Sequence, residues 1–263
     1  MPIEISRPDT PAQAARLLAN DRSAFVLGGG TGLMRRIHEG DARVGHLIRL
    51  RDPALKDIAR QGGALRIGAQ VTMAQILATA EAQVLHAAAQ SVGAPALRNM
   101  ATVGGNIFAR APYGDLTVAL LALGAEVETA TPSGTDRRTL EALLRDQTRR
   151  VVTGVILPVP SSQLWFHKMS RSHPRGASVV TIALYLPAGG TARVAIGGLG
   201  GRPCRAPGAE RAIGTGPLTR TRIEAAAARI SEGITPHSDA LASGWYRQRM
   251  AEVQFKRLAE EAL

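Results

Sequence analysis

The sequence predicts an α+β protein of three subregions, and three observations carry that prediction. Short apolar runs of strand character recur along all 263 residues, interleaved with segments of helical spacing. The apolar run 151–157 stops at Pro158 and Pro160, a proline pair that marks a domain boundary. Two glycine hinges, V-L-G-G-G-T-G-L-M at 26–34 and T-V-G-G-N-I at 102–107, follow or interrupt strand-like sequence. The expected divisions are 1–50, 51–158 and 159–263.

Ile3, Glu4 and Ile5 open a strand. Thr10 and Pro11 start a helix, with threonine as the cap and proline at the first helical position, ahead of A-Q-A-A-R-L-L-A. Phe25, Val26 and Leu27 form a strand that feeds the first hinge, and 46–50 forms another, giving β-α-β-(loop)-β. Segments 57–59 and 65–67 flank the Gln61, Gly62, Gly63 turn as a hairpin. Val71 and Thr72 cap a helix, and 81–91 is a second helical stretch. After the second hinge a helix begins near Asp115, followed by the strand 126–129 and the Pro132–Thr135 turn. Strands are expected at 164–169, 178–186 and 191–199, with a hairpin turn at 187–190 joining the last two. Helices follow near 209–213, through I-E-A-A-A-A-R-I, and from Ser238, where Leu241, Trp245, Met250 and Val253 supply an apolar stripe.

Composition sets limits. The hydrophobic content of 45% and charged content of 20% are those of a globular chain. No run of 18 apolar residues occurs, so no membrane span is expected, and the start lacks the apolar core of a signal peptide. A soluble cytoplasmic protein is the simplest reading. A single cysteine, Cys204, excludes an internal disulfide and any all-cysteine metal site within this chain. The formal net charge of +11 points to an acidic partner surface or to solvated arginine-rich faces. Aromatic content of 3% argues against base-stacking platforms, so nucleic-acid binding is not expected.

The hinges carry the chemistry. Counted from Gly28, a G-x-G-x-x-G fingerprint would need glycine where Leu33 stands, and no lysine completes a P-loop. Glycine nevertheless lets backbone approach a ligand closely and turn its N–H groups outward, and successive amides form an anion nest. Two opposed nests suit a pyrophosphate; a pair of plain turns is the alternative. Substituting Gly104 or Gly105 by valine is expected to block a phosphate's approach with the added Cβ atoms while leaving the fold largely intact.

The chain resembles the flavoprotein (medium) subunit of the molybdenum hydroxylases, the carbon monoxide, xanthine and aldehyde dehydrogenase family. The matching stretches are L-G-G-G-T-G-L at 27–33, T-V-G-G-N-I at 102–107, D-L-T-V-A-L-L-A-L-G-A-E-V from Asp115, G-G-L-G-G-R-P-C-R-A, then Pro236 to Asp239 and Trp245-Tyr246-Arg247. The resemblance covers nearly the whole chain. It implies a two-part FAD-binding domain of the vanillyl-alcohol-oxidase-like type plus a C-terminal α+β domain with a three-stranded antiparallel sheet and helices. It also implies FAD gripped at its pyrophosphate by backbone amides of both hinges: Leu27, Gly28, Gly29, Gly30, Thr31, Gly32 and Leu33 in one, Thr102, Val103, Gly104, Gly105 and Asn106 in the other. Asp115 is implied on the cofactor's sugar or ribityl hydroxyls, with helix capping as its other reading. Lys168 is implied near the flavin, with an ordinary strand lysine as its other reading, and Val92 against the adenine, with core packing as its other reading. Gly32 stands where the family often has Asp or Ser, Tyr113 interrupts a run of small residues, and the 139–150 segment is short.

The implied partners are a small chain with 2Fe–2S clusters and a large chain with the molybdenum cofactor, and the implied acceptor is NAD, a quinone or oxygen. The chain would be an oxidoreductase subunit without a catalytic acid or base of its own. A stand-alone FAD oxidoreductase and a non-enzymatic basic binding module are the alternatives. The six histidines show no metal-ligand spacing.

Overall fold

A computed structural model describes residues 2–146 and 148–263; residue 147, within the short 139–150 segment, lies outside the described residues. Strands β1 (Glu4–Ser6), β3 (His46–Ile48) and β2 (Ala24–Val26) form a parallel sheet in that order. Helix α1 (Pro11–Asn20) begins as expected. Thr10 accepts from the Gln13 amide, and the Gln13 side chain reaches back to the Thr10 amide in a full capping box. Its buried residues Ala14, Ala15 and Leu18 share one core with Ala24, Ile48 and Leu50, and also with Ala130 and Val151 of the next sheet. His46 ties the sheet edge together: Nδ1 lies 2.9 Å from Asp21 Oδ2, and Nε2 lies 2.8 Å from Ser6 Oγ. The first hinge does not run as a plain loop into β3. It winds into helix α2 (Leu33–His38), which polar L-M-R-R-I-H does not announce as a core-facing helix and which buries none of its residues.

The second sheet is antiparallel, in the order β4 (Ile58–Gln61), β5 (Ala64–Gly68), β8 (Val151–Pro158), β6 (Glu126–Thr131) and β7 (Gly134–Thr139). Its helices are α3 (Met73–Ala78), capped by Thr72, then α4 (His86–Ser91), α5 (Pro95–Arg98), α6 (Val103–Ile107), α7 (Asp115–Ala122) and α8 (Leu140–Arg145). The 81–91 stretch is a 3-10 turn at Ala80–Leu85 followed by α4, rather than one helix. All eight residues of α7 are buried. A helix that is apolar all round must be covered all round, and α7 lies between the second unit's helices and the third sheet.

That third sheet has four strands, one more than expected: β12 (Cys204–Arg205), β11 (Arg193–Gly197), β10 (Ser178–Tyr185) and β9 (Leu164–Ser170), all antiparallel. Two residues of β12 are too few for a periodicity of 2 to reveal. Central β10 is buried on both faces. Ala183 and Tyr185 join the core that contains α7, while Val180, Ile182 and Leu184 join the opposite core with helices α9 (Pro207–Ile213), α10 (Arg220–Ala228) and α11 (Gly244–Glu260).

Helix α11 starts later than expected and presents a different face. Ser243, not Ser238, accepts from the Tyr246 amide as the cap. The buried stripe is Arg247, Ala251, Gln254, Phe255, Leu258 and Ala259, while Trp245 is 75% exposed. Arg247 is responsible for this rotation. It is wholly buried, with Nη1 donating to the carbonyls of Val179 and Gly198 at 2.7 Å and Nη2 to Asp239 Oδ1 at 2.6 Å. With both Nη atoms partnered and only Nε left without an acceptor, the guanidinium is held inside, and it turns Trp245 outward.

Candidate flavin-binding hinge

The two glycine hinges meet. A Cβ on Gly28 would stand 2.7 Å from Thr102 Oγ1, and one on Gly29 would overlap the Met100 carbonyl oxygen at 1.5 Å. Glycine at these positions therefore answers to close approach of one backbone to another. Gly30 has φ +75, which a side chain rarely adopts. Gly32, at the N-cap of α2, has open space where its Cβ would go.

The hinges differ in what their amides do. Among the described residues, the N–H groups of Gly28, Gly29, Gly30, Thr31, Gly32 and Leu33 have no protein acceptor, while Leu27 donates to Ile48 O. In the second hinge every amide from Val103 to Asn106 is engaged. Val103 donates to Val71 O, Gly104 to Ala69 O, Gly105 to Thr102 Oγ1 and Asn106 to Thr102 O. The second hinge is thus a capped helical turn, α6, rather than an open nest. The Asn106 side chain is structural as well: its Oδ1 accepts from the Thr117 amide at 3.1 Å, anchoring α7. Gly104 faces protein, since a Cβ there would sit 3.1 Å from Ala69 Cβ and Ala69 O. Gly105 is exposed and meets only Thr102 Oγ1.

Asp115 and Lys168 come together beside α6. Gly114, with φ +99, is the N-cap of α7, so Asp115 is its first residue rather than its cap. Asp115 Oδ2 accepts from Lys168 Nζ at 2.7 Å, and Oδ1 accepts from Ser178 Oγ at 2.7 Å and Thr181 Oγ1 at 2.8 Å. Lys168 also donates to Ser91 O at 3.0 Å. Lys168 and Thr181 are direct cross-strand partners of β9 and β10, so both side chains leave the same face. A register shift between Ser178 and Val180 brings Ser178 onto that face too. Thr181 carried a signal in sequence, a hydroxyl in an otherwise apolar run. Ser178 carried none, because a bulge is invisible to periodicity.

Val92 packs in the main core at the end of α4, and Val103 is likewise core. Tyr113 is 44% exposed and clasped by α2: its hydroxyl accepts from Arg35 Nη1 at 3.0 Å, with the guanidinium 5.2 Å from the ring centroid. Burial pushes the Cys204 thiol up to about 11, which keeps it protonated at neutral pH. No helix among the described residues is long and apolar enough to cross a membrane.

Comparison with known proteins shows the family and the fold. The family model of the FAD binding domain in molybdopterin dehydrogenase matches residues 1–160, and that of the CO dehydrogenase flavoprotein C-terminal domain matches 166–262. The xanthine dehydrogenase FAD-binding subunit of Escherichia coli O157:H7 is 27% identical over 98% of this chain and 94% of its own. The carbon monoxide dehydrogenase medium chain of Afipia carboxidovorans is 27% identical over 97% and 95%. Among solved structures, the carbon monoxide dehydrogenase from Hydrogenophaga pseudoflava superposes with a TM-score of 0.89 at 24% identity, covering 98% of this chain and 96% of that one. The likeness to solved structures establishes the fold. Fold and family models together define a two-part FAD-binding protein with an appended α+β domain. The chain belongs to the family of FAD-binding domains of molybdopterin dehydrogenases.

Proposed function

We propose that this chain is the electron-transfer flavoprotein subunit of a molybdenum hydroxylase complex. A small iron–sulfur chain and a large molybdenum chain are its partners, and an external acceptor such as NAD or a quinone takes the electrons. The observation that carries the reading is the row of unpaired amides from Gly28 to Leu33, held against the second hinge and exposed to a ligand. Such donors fit the diphosphate of FAD. FAD, when bound, accepts electrons singly from iron–sulfur clusters and releases them singly or as hydride.

The residues of this chain then have separate tasks. The amides of Gly28, Gly29, Gly30, Thr31, Gly32 and Leu33 grip the diphosphate. Thr102, Val103, Gly104, Gly105 and Asn106 brace that grip from behind, with exposed Gly105 offering the close approach. Asp115 and Lys168 supply a carboxylate and a fixed cation at the join of the second and third units. Large apolar side chains left exposed along 97–113, Leu97, Met100, Phe108 and Tyr113, provide surface for cofactor or partner chains. The divisions 1–50, 51–158 and 159–263 assign the two-part flavin-binding domain to the first two and the cover to the third.

The test is direct. Chain purified with its co-expressed partners should release FAD on acid precipitation, about one per polypeptide by chromatography. It should migrate with an iron–sulfur chain and a molybdenum chain on gel filtration. A colourless chain that takes up no FAD on reconstitution would sink the proposal.

A further inference from the structure

We propose that Arg35 and Tyr113 form a strap that holds the first hinge closed on its ligand, so that breaking this contact sets the rate of ligand release. The proposal rests on the flavin reading only for the identity of that ligand. The hinge 28–33 runs straight into α2, and α2 buries none of its own residues. Without an apolar face to seat it, a helix of six residues is held by what its side chains reach. Most of those bonds stay inside the first unit. Arg36 pairs with Asp41, its guanidinium lies 4.9 Å from the Phe25 ring centroid, and Arg35 Nε lies 3.6 Å from Glu39 Oε1. Among the described residues, the bond from Arg35 Nη1 to the Tyr113 hydroxyl is the one side-chain hydrogen bond of α2 that leaves that unit.

Tyr113 is a fixed post. Its amide closes a turn on Arg110 O at 2.9 Å, the Ala111 amide donates to Gly201 O at 3.2 Å, and Pro112 O accepts from the Ser178 amide at 3.1 Å. Two residues further on, Asp115 is locked to Lys168, Ser178 and Thr181. The post is thereby bound to the third unit, while the arm it holds belongs to the first. Glu39 steadies the guanidinium from within α2, which leaves Nη1 for the hydroxyl and sets the fork over the ring.

The free amides of the hinge therefore lie between two fastenings. At one end Gly29 lies so close to the Met100 carbonyl that a Cβ would overlap it. At the other, two residues past Leu33, Arg35 grips Tyr113. The first fastening is backbone packed on backbone, and opening it separates the units. The second is an exposed hydrogen bond with a cation–π contact, together a factor of roughly three to ten in an equilibrium. It opens with the rest of the cleft intact, so the end of the hinge next to α2 is the end that yields.

FAD release from the full chain, followed by flavin fluorescence after dilution of the loaded protein, tests the strap. Tyr113→Ala and Arg35→Gln should each release FAD roughly three to ten times faster than wild type. The double variant should release it no faster than either single one, because each already breaks the same contact. Arg145→Gln, at an exposed arginine paired with Glu141, should release FAD as wild type does. The flavin-free variants should melt within about 2 °C of wild type, since the contact is exposed; a larger fall marks a prop of the fold and overturns the strap. Hydrogen exchange of the flavin-free proteins reads the strap without the cofactor, and the α2 amides should exchange faster in both single variants. Unchanged release in the folded single variants, or a double variant in which the two effects multiply, overturns the proposal. Should wild type take up no FAD, the flavin reading falls by itself and exchange in α2 decides the strap alone: faster exchange in both variants upholds it, and unchanged exchange overturns it.

Discussion

Lys168 and Asp115 form a buried ion pair between two units of the fold, with Nζ 2.7 Å from Oδ2 and the two side chains 5% and 7% exposed. Lysine comes from β9 of the third sheet, aspartate from the first turn of α7. The remaining acceptor of Asp115 is filled by two hydroxyls of β10. A carboxylate at a helix N-terminus also meets the positive end of the helix dipole. The pair thus docks the third sheet on α7 at the place where the resemblance puts the flavin.

Asp115→Ala is expected to destabilise the chain by about 3–5 kcal/mol, because it strands the Lys168 ammonium in a dry interface with one carbonyl partner. Replacing both partners, Asp115→Asn with Lys168→Met, should recover part of that loss. Urea midpoints of the flavin-free proteins measure it. A loss under roughly 1 kcal/mol in Asp115→Ala would show that the pair is not holding the units together. The structural role also means that flavin loss in Asp115→Ala is no proof of direct contact; affinity must be compared at matched stability.

Gly29→Ala and Gly32→Ala should part company. The first drives a methyl into the Met100 carbonyl, so the hinges must separate; the second adds a methyl to open space at α-helical φ and ψ. Gly32→Ala keeps its amide, and should keep FAD affinity and stability within about 0.5 kcal/mol. Gly29→Ala should lose flavin and unfold earlier. Equal behaviour in fluorescence titration and thermal melts would contradict the contact between hinges.

A second pair corrects an expectation from sequence. Gly104→Val was expected to leave the fold intact, but its side chain would press on Ala69 at the end of β5. Overpacking of that kind costs roughly 1–3 kcal/mol, so a lowered melting temperature is expected there. Gly105→Val meets only the Thr102 hydroxyl, and should fold normally while weakening FAD. Normal melting of Gly104→Val would restore the simpler view.

Much of the architecture could be read in advance where periodicity and caps are local. Thr10, Thr72 and the Gln61, Gly62, Gly63 turn announced themselves. The hidden parts are those set by tertiary contact. Helix α2 follows glycines and buries nothing, so no apolar stripe marks it. The face of α11 is chosen by Arg247, a residue that composition alone assigns to the surface. The two glycine hinges looked equivalent in sequence, yet one spends its amides on Val71, Ala69 and Thr102 while the other leaves them free.

The Asp239–Arg247 bridge gives the chain an acid limb that can be assigned. Burial alone would raise the Asp239 carboxyl. The guanidinium of Arg247 and the amides of Ala242 and Leu241 outweigh it and hold the group at about 2. An unfolded aspartate titrates near ~3.9. Because the folded value is the lower one, the bridge contributes fully above about pH 4 and its contribution fades as pH falls toward about 2. Asp239→Asn cannot titrate and leaves Arg247 without its anion at every pH. The melting temperature of the variant should therefore lie below wild type by a constant margin from pH 7 to about 5. That margin should close as the wild-type carboxylate protonates below about pH 4. Calorimetric melts across that range decide it, and two curves that coincide from pH 7 downward would show that the buried arginine draws its stabilisation from the Val179 and Gly198 carbonyls alone.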